Sequence, residues 1–144
     1  MSTLIFSISL EGHRLEYLHH IFDEACKRID EEYVFVVPET FMVLKNHYTW
    51  KECSKISFVL LPEEEIRSVL NAKGRFRRAR KCVDLLKKYV RRVQPTHVLL
   101  IMFMSYMPFL AITRWKGTKF SGIIYKIYLY ERQNVLQGIL NKVL

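Results

Sequence analysis

Cysteine is scarce in this chain, and its cysteines do not form a motif. Cys26, Cys53 and Cys82 are the only cysteines among 144 residues, and no CxxC spacing occurs. An odd number of widely separated cysteines argues against a disulfide framework and against a zinc site. The simplest expectation is a protein of a reducing compartment, the cytoplasm.

Glycine and proline are also few, with 5 and 4 residues, and neither repeats nor low-complexity segments are present. The hydrophobic share of 50% argues against intrinsic disorder, and 144 residues suffice for one domain with a real core. The longest apolar stretch, Val98–Ile112, is shorter than the ~20 residues that span a bilayer. Ser105, Tyr106 and Pro108 also interrupt it. We interpret it as a buried strand followed by the start of a helix, with a membrane span as the alternative.

Acidic residues are outnumbered by basic ones, 14 to 23, which gives a net charge of +9. This balance predicts an anionic partner, and nucleic acid, acidic lipid and phosphorylated small molecules all qualify. Much of the excess lies in residues 73–92, where Asp84 is the single acid.

Short apolar runs alternate with amphipathic segments along the chain. The runs predict strands at Leu4–Leu10, Tyr33–Val37, Ile56–Leu61, His97–Phe103 and Ile123–Tyr130. Helical spacing of apolar residues predicts helices at Arg14–Arg28, Arg75–Val93 and Gln133–Leu144, and a short one within Glu39–Lys55. This alternation predicts an α/β domain with an open, mainly parallel Rossmann-like sheet of about five strands and helices on both faces.

Ligands of such sheets bind beyond the carboxyl ends of the strands, where the strand order reverses. The loops expected to meet there are 11–13 and 104–106. Gly12 and His13 lie at a strand-to-helix turn that suits an anion, or that is a plain tight turn. His13 can orient a hydroxyl or move a proton, or it is simply a solvated loop residue. Glu16 suits the first turn of a helix by the helix dipole alone.

The helix predicted within residues 75–93 has a basic face opposite a buried stripe. We call Arg77, Arg80, Lys81, Lys87, Lys88, Arg91 and Arg92 the basic face. An anionic membrane surface is the favoured partner, because each nearby Lys or Arg contributes about 1 kcal/mol there. RNA is the alternative. Within this basic segment, however, Phe76 is the one aromatic residue that could stack on a base. An ordinary solvated surface is the third interpretation.

The opening segment, LIFSISLEGHRLEYLHHIF, resembles the first strand, loop and helix of bacterial group 1 (family 4) glycosyltransferases. In that family a Gly-His turn often precedes a helix with the pattern matched here by Glu16, Tyr17 and Leu18. A later segment, VRRVQPTHVLLIMF, is similar to the same domain's helix, proline-containing turn and fourth strand.

The resemblance implies an enzyme of the GT-B fold, with two Rossmann-like domains facing across a cleft. Residues 1–144 correspond to the N-terminal half, which binds the acceptor. The other half would hold the nucleotide-sugar and carry a Glu-x7-Glu motif, and no such motif occurs near Leu144. We therefore expect either a stand-alone relative or, as the apolar end of the last predicted helix favours, a truncated chain that is inactive alone. Joined to the missing donor domain, it would transfer a sugar to a saccharide or lipid-linked polysaccharide acceptor.

The resemblance also implies the roles of individual residues. His13 would be catalytic, by orienting a hydroxyl or the transferred sugar, and Gly12, Glu16, Ser105 and Tyr106 would bind substrate. Lipid-linked acceptors would bring the enzyme to the inner face of the plasma membrane as a peripheral protein. No paired nucleophile and no metal-ligand cluster is visible, so neither a cofactor nor a metal is predicted. The competing interpretations are a basic RNA-binding module and a structural domain without activity.

Overall fold

The computed structural model describes residues 1–123, which contain five strands and five α-helices. The strands are β1 (Ser2–Phe6), β2 (Glu32–Pro38), β3 (Ile56–Leu61), β4 (His97–Leu100) and β5 (Lys119–Gly122). The helices are α1 (Arg14–Cys26), α2 (Phe41–Leu44), α3 (Glu63–Leu70), α4 (Arg75–Val93) and α5 (Phe109–Ile112). Short 3₁₀ turns occupy Lys45–His47 and Phe103–Tyr106.

The strands form one open sheet in the order β3-β2-β1-β4-β5, and every neighbouring pair is parallel. In this register Ile5 of β1 lies between Phe35 and Leu99. The chain adds β2 and β3 on one side of β1, then crosses to the other side for β4 and β5. The predicted Rossmann-like α/β fold is confirmed, and its strand order reverses between β1 and β4.

Alternate side chains of the strands enter two separate cores, one on each face of the sheet. Leu4 and Phe6 pack with α3 and α4, whereas Ile5 packs with α1. The α4 stripe is buried as predicted. Its buried members are Ala79, Cys82, Val83, Leu86, Tyr89 and Val90, together with Leu85. Covering both faces explains why these strands are apolar along nearly their whole length.

Two predicted strands end earlier than their apolar runs suggest. The strand predicted at Leu4–Leu10 ends at Phe6, because the chain then turns and the Ser7 hydroxyl donates to the Ser9 carbonyl at 2.7 Å. The strand predicted at His97–Phe103 ends at Leu100, since a 3₁₀ turn follows. Both runs stay apolar beyond the strand because the chain remains in the core.

The last strand of the described sheet was not predicted. β5 has the sequence KFSG, which alternates weakly and carries little strand signal, yet it pairs with β4 over its whole length. The strand predicted at Ile123–Tyr130 begins at the final described residue, and its remainder lies outside the described part of the chain. The helix predicted at Gln133–Leu144 lies wholly outside it.

Truncating the α4 stripe should destabilise the domain. Leu86 is fully buried, so Leu86→Ala should lower the free energy of unfolding by about 2–5 kcal/mol through lost burial and the cavity left behind. Leu70→Ala is the matched control, because the Leu70 side chain is 55% exposed. Urea denaturation followed by circular dichroism measures both variants. Equal stability of the two would contradict the packing of α4 described above.

Candidate functional site

A cleft of about 1110 Å³ opens at the carboxyl edge of the sheet. The loop after β1 supplies residues 8–11 of its lining, and the segment after β4 supplies Met102, Met104, Ser105 and Met107. Helices α3 and α4 form the opposite wall. The loops after the first and fourth strands therefore border one cleft, at the position where the strand order reverses.

The predicted site residues occupy different places around this cleft. Ser105 lines it, whereas Gly12 and His13 are at the exposed tip of the loop after β1 and are not part of the lining. Gly12 has a φ of +64°, a conformation that favours glycine. The His13 side chain is 79% exposed, and its Nδ1 lies 3.3 Å from Oε2 of Glu16. The functional roles of these residues stay predictions.

Tyr106 is buried rather than open to the cleft. Its side chain is 1% exposed and packs against Phe6, with ring centroids 6.2 Å apart. Its hydroxyl has no hydrogen-bond partner within residues 1–123. Burial raises the pKa of the phenol well above its ordinary value, the Cys82 thiol adds to the rise, and the Arg14 charge opposes it. Tyr106 is therefore a neutral donor, and its electrostatic neighbours Cys82 and Arg14 both line the cleft.

The cleft is also lined by charged residues that were not predicted from the sequence. They are Arg14, Arg75 and Arg78, with Glu11 and Glu63 as the carboxylates. The Glu63 carboxylate accepts a hydrogen bond from Nη2 of Arg67 at 2.8 Å. The sequence feature that could have indicated two of them is the spacing of Arg75 and Arg78, which places both on one side of the first turn of α4.

The basic face of α4 is solvated as predicted. All of its members are exposed except Lys87, which is half-buried. Two members contact α3: Lys88 forms an ion pair with Glu65, and the Lys81 ammonium donates to the Ser68 carbonyl at 3.0 Å. Within α4 the segment holds a single acid, Asp84, and the neighbouring helix α3 supplies an acidic partner, Glu65, to one end of the face.

Glu65 joins α3 to α4. Its carboxylate accepts hydrogen bonds from the Lys88 ammonium and, at 2.8 Å, from the Tyr89 hydroxyl. Burial by itself raises the pKa of Glu65, but the two hydrogen bonds and the Lys88 charge outweigh it, so the pKa is lowered. Burial and the bond to Glu65 raise the pKa of Tyr89 to about 12. The contact consequently consists of a carboxylate and a neutral phenol at neutral pH.

No family model, no curated protein and no solved structure matches this chain. In the described residues, no cluster of His, Cys, Asp and Glu side chains is placed to hold a metal ion. None of the helices within residues 1–123 is both long enough and apolar enough to cross a bilayer. Function must therefore be argued from the cleft, its charges and the surfaces around it.

The lowered pKa of Glu65 predicts a pH-dependent contribution to stability. The contribution is present above the ordinary glutamate pKa of 4.5 and is lost as the pH falls through the lower folded-state value. Glu65→Gln should therefore lower the free energy of unfolding by about 1 kcal/mol at pH 7 and by less below about pH 4. Urea denaturation across this range measures the difference from the wild type.

Glu64→Gln is the matched control, because Glu64 is exposed in the same turn of α3 and has no ion pair within residues 1–123. It should leave stability nearly unchanged at every pH. A Glu65→Gln effect of the same size at acidic and neutral pH would show that the carboxylate charge is not its source.

Proposed function

We propose that this chain is the acceptor-binding domain of a glycosyltransferase. Joined to a donor domain that holds a nucleotide-sugar, it would bind a saccharide or lipid-linked acceptor. The cleft at the β1/β4 switch point carries the proposal, because the loop that supplies residues 8–11 of its lining continues into the Gly12–His13 turn of the resemblance. Glycosyl transfer between two bound substrates depends strongly on their mutual orientation, and a rigid sheet edge provides one half of that alignment.

His13 is suited to orient a hydroxyl in this proposal. A carboxylate accepts hydrogen bonds, so the His13 tautomer that suits Glu16 carries its proton on Nδ1 and donates to it. In that tautomer Nε2 is an acceptor on a largely exposed side chain. An acceptor hydroxyl, or a hydroxyl of the transferred sugar, could donate to that atom. His13 thus acts by positioning, and no base on this domain is required.

The surface around the cleft supports peripheral attachment to a membrane. Arg77, Arg80 and Arg91 of the basic face are exposed and form no ion pair within residues 1–123. Apolar side chains accompany this charge: Phe76 at the start of α4 is 67% exposed, and Leu70 at the end of α3 is 55% exposed. Basic residues beside exposed apolar ones are typical of segments that lie on an anionic bilayer. A lipid-linked acceptor would be reached from such a surface.

The acceptor proposal predicts where saccharides bind. Octyl-linked mono- and disaccharides, used as acceptor mimics, should shift amide resonances of residues 8–13 and Ser105 in NMR titrations. His13→Ala should weaken binding of a responding mimic by about threefold to tenfold, the value of one net hydrogen bond.

His20→Ala is the matched control for this titration. Its imidazole is 69% exposed and also lies near Glu16, with Nε2 3.8 Å from the carboxylate, but one turn further along α1. It should leave mimic affinity unchanged. Saccharide shifts that map away from the cleft would contradict the acceptor role. Tight binding of a single-stranded RNA to α4, without any saccharide response, would favour the RNA-binding alternative.

The basic face predicts salt-sensitive binding to anionic vesicles. Replacing Arg77, Arg80 and Arg91 by Glu should weaken binding at least about a hundredfold, since each Lys or Arg near the surface contributes about 1 kcal/mol. Vesicle flotation measures the bound fraction. Raising the salt should weaken wild-type binding, because attraction at an exposed surface is screened beyond about 8 Å at physiological ionic strength.

Glu replacements at Lys51, Lys55 and Lys116 form the matched control, because these exposed lysines lie outside α4 and have no ion pair within the described residues. The control changes the net charge equally and should retain most of the binding. Equal loss in both triple variants would show that net charge, and not the basic face, attracts the vesicles. Equal binding to neutral vesicles would point instead to insertion of apolar residues such as Phe76 and Leu70.

A further inference from the structure

Three arginines that line the cleft have no carboxylate partner among the described residues. Arg14 is the first residue of α1, and Arg75 and Arg78 belong to the first turn of α4. None of the three forms an ion pair with a carboxylate of residues 1–123. Arg78 donates through Nε to the Ala72 carbonyl at 3.0 Å, which fixes its side chain and leaves its two terminal nitrogens as donors.

The start of α4 has an unfavourable charge arrangement in the absence of an anion. This 19-residue helix begins after Gly74 with no side-chain cap and no acidic residue in its first turn. Its positive dipole end instead carries Arg75 and Arg78, which line the cleft, and Arg77, which does not. Cations at a helix N-terminus are repelled by the dipole, whereas an anion there is attracted by both the dipole and the arginines.

The buried hydroxyl of Tyr106 is an independent second observation. A buried hydroxyl almost always has a hydrogen-bond partner, and leaving one without a partner is costly. The Tyr106 hydroxyl has none within residues 1–123, although its side chain is 1% exposed. Its electrostatic neighbours, Cys82 and Arg14, both line the cleft. Burial raises the pKa of Cys82 to about 11, so this thiol adds no negative charge at neutral pH.

We infer that the cleft binds a phosphate-bearing ligand, held by the guanidinium groups of Arg14, Arg75 and Arg78 beside the start of α4. Arginine suits this ligand because its planar fork donates two parallel hydrogen bonds to phosphate oxygens. The Arg14 charge acts on the buried Tyr106 phenol, and in this inference the Tyr106 hydroxyl donates toward the same anion through a bridging water. The sequence pointed to an anion at the Gly12–His13 turn, whereas the arginines place it deeper, in the cleft itself.

The ligand would be larger than a phosphate ion. The volume of about 1110 Å³ exceeds what one phosphoryl group fills and leaves room for an attached saccharide. This phosphate site deepens the proposed function. It rests on that function only in taking the ligand to be an acceptor. The shared chemistry is a phosphoryl or diphosphoryl group, whose source is either a free sugar phosphate or the headgroup of a lipid-linked saccharide.

Inorganic pyrophosphate tests the site in the intact chain at fixed ionic strength. Calorimetry should show saturable binding, and NMR should place the shifts at Ser9, Arg14, Gly74, Arg75 and Arg78. Arg14→Gln and Arg75→Gln should each weaken binding by about tenfold, as expected for loss of a charge-assisted hydrogen bond. Arg77→Gln is the matched control, because Arg77 shares the first turn of α4 but does not line the cleft. Its effect should stay within about twofold, as for other exposed charges.

Tyr106→Phe separates ligand binding from folding. Because it removes a hydroxyl that has no hydrogen-bond partner among residues 1–123, thermal unfolding should occur at the same or a higher temperature, while pyrophosphate binds several-fold more weakly. Unchanged pyrophosphate affinity in Tyr106→Phe would overturn the part of the inference that concerns this hydroxyl. Non-saturable binding, or equal losses in Arg75→Gln and Arg77→Gln, would overturn the site and leave only general attraction to a basic protein.

Two competition experiments identify the source of the phosphoryl group and distinguish the phosphate site from the proposed acceptor role. Competition of pyrophosphate by glucose 1-phosphate supports a free sugar phosphate, and competition by neutral vesicles that carry a polyprenyl diphosphate supports the lipid-linked form. Failure of both competitors would overturn the ligand class. Saccharide mimics that bind when pyrophosphate does not would overturn the phosphate site alone. Pyrophosphate binding without any saccharide response would contradict the acceptor role alone.

Discussion

The central position of β1 is the constraint on which the rest of the structure depends. This strand is paired on both edges, with β2 and β4, and buried on both faces, with Leu4, Ile5 and Phe6 fully inaccessible to solvent. The chain leaves β1 toward one side of the sheet and later returns on the other side. The loops after β1 and β4 therefore diverge over the two faces, and the cleft opens between them. Its location follows from topology and needs no special residue.

The sequence predicted best where an element is long or regularly patterned. The bounds of α4 and β3 agree with prediction, because apolar residues recur at helical spacing in one and apolar runs end at proline in the other. Prediction was weaker after β1 and β4, where Leu10, Ile101 and Tyr106 are buried outside any strand. Hydrophobicity reports burial and not backbone hydrogen bonding, so it cannot mark where a strand ends. β5 depends on its partner β4, and tertiary context of this kind is invisible in four residues.

The two loops that border the cleft follow from the strand order, but the charges in the cleft were not predicted. Glu11 and Ser105 line the cleft, whereas Gly12, His13, Glu16 and Tyr106 are not part of its lining, and their roles stay predictions. Arg75 and Arg78 belong to the basic run of residues 73–92, but from the sequence they were assigned neither to the basic face nor to the cleft. Helical geometry divides that run: Arg75 and Arg78 face the cleft, whereas Arg77 does not line it. The contacts of Glu65 and the burial of Tyr106 depend on how α3, α4 and the 3₁₀ turn pack together. No single segment of the sequence shows that packing.

The two parts of α4 offer one explanation for the strongly basic character of this segment. Its first turn places Arg75 and Arg78 along the cleft, whereas the basic face lies outside the cleft lining. In the inferred site, several guanidinium groups donate paired hydrogen bonds to one anion, whereas the basic face attracts a charged surface through charge that salt screens. In the proposed function, a lipid-linked acceptor would use both parts of α4. The basic face would lie on the membrane, and the phosphoryl group of the acceptor would enter the cleft beside Arg75. The same helix would then align the membrane surface with the carboxyl edge of the sheet, where an acceptor hydroxyl must be presented for transfer.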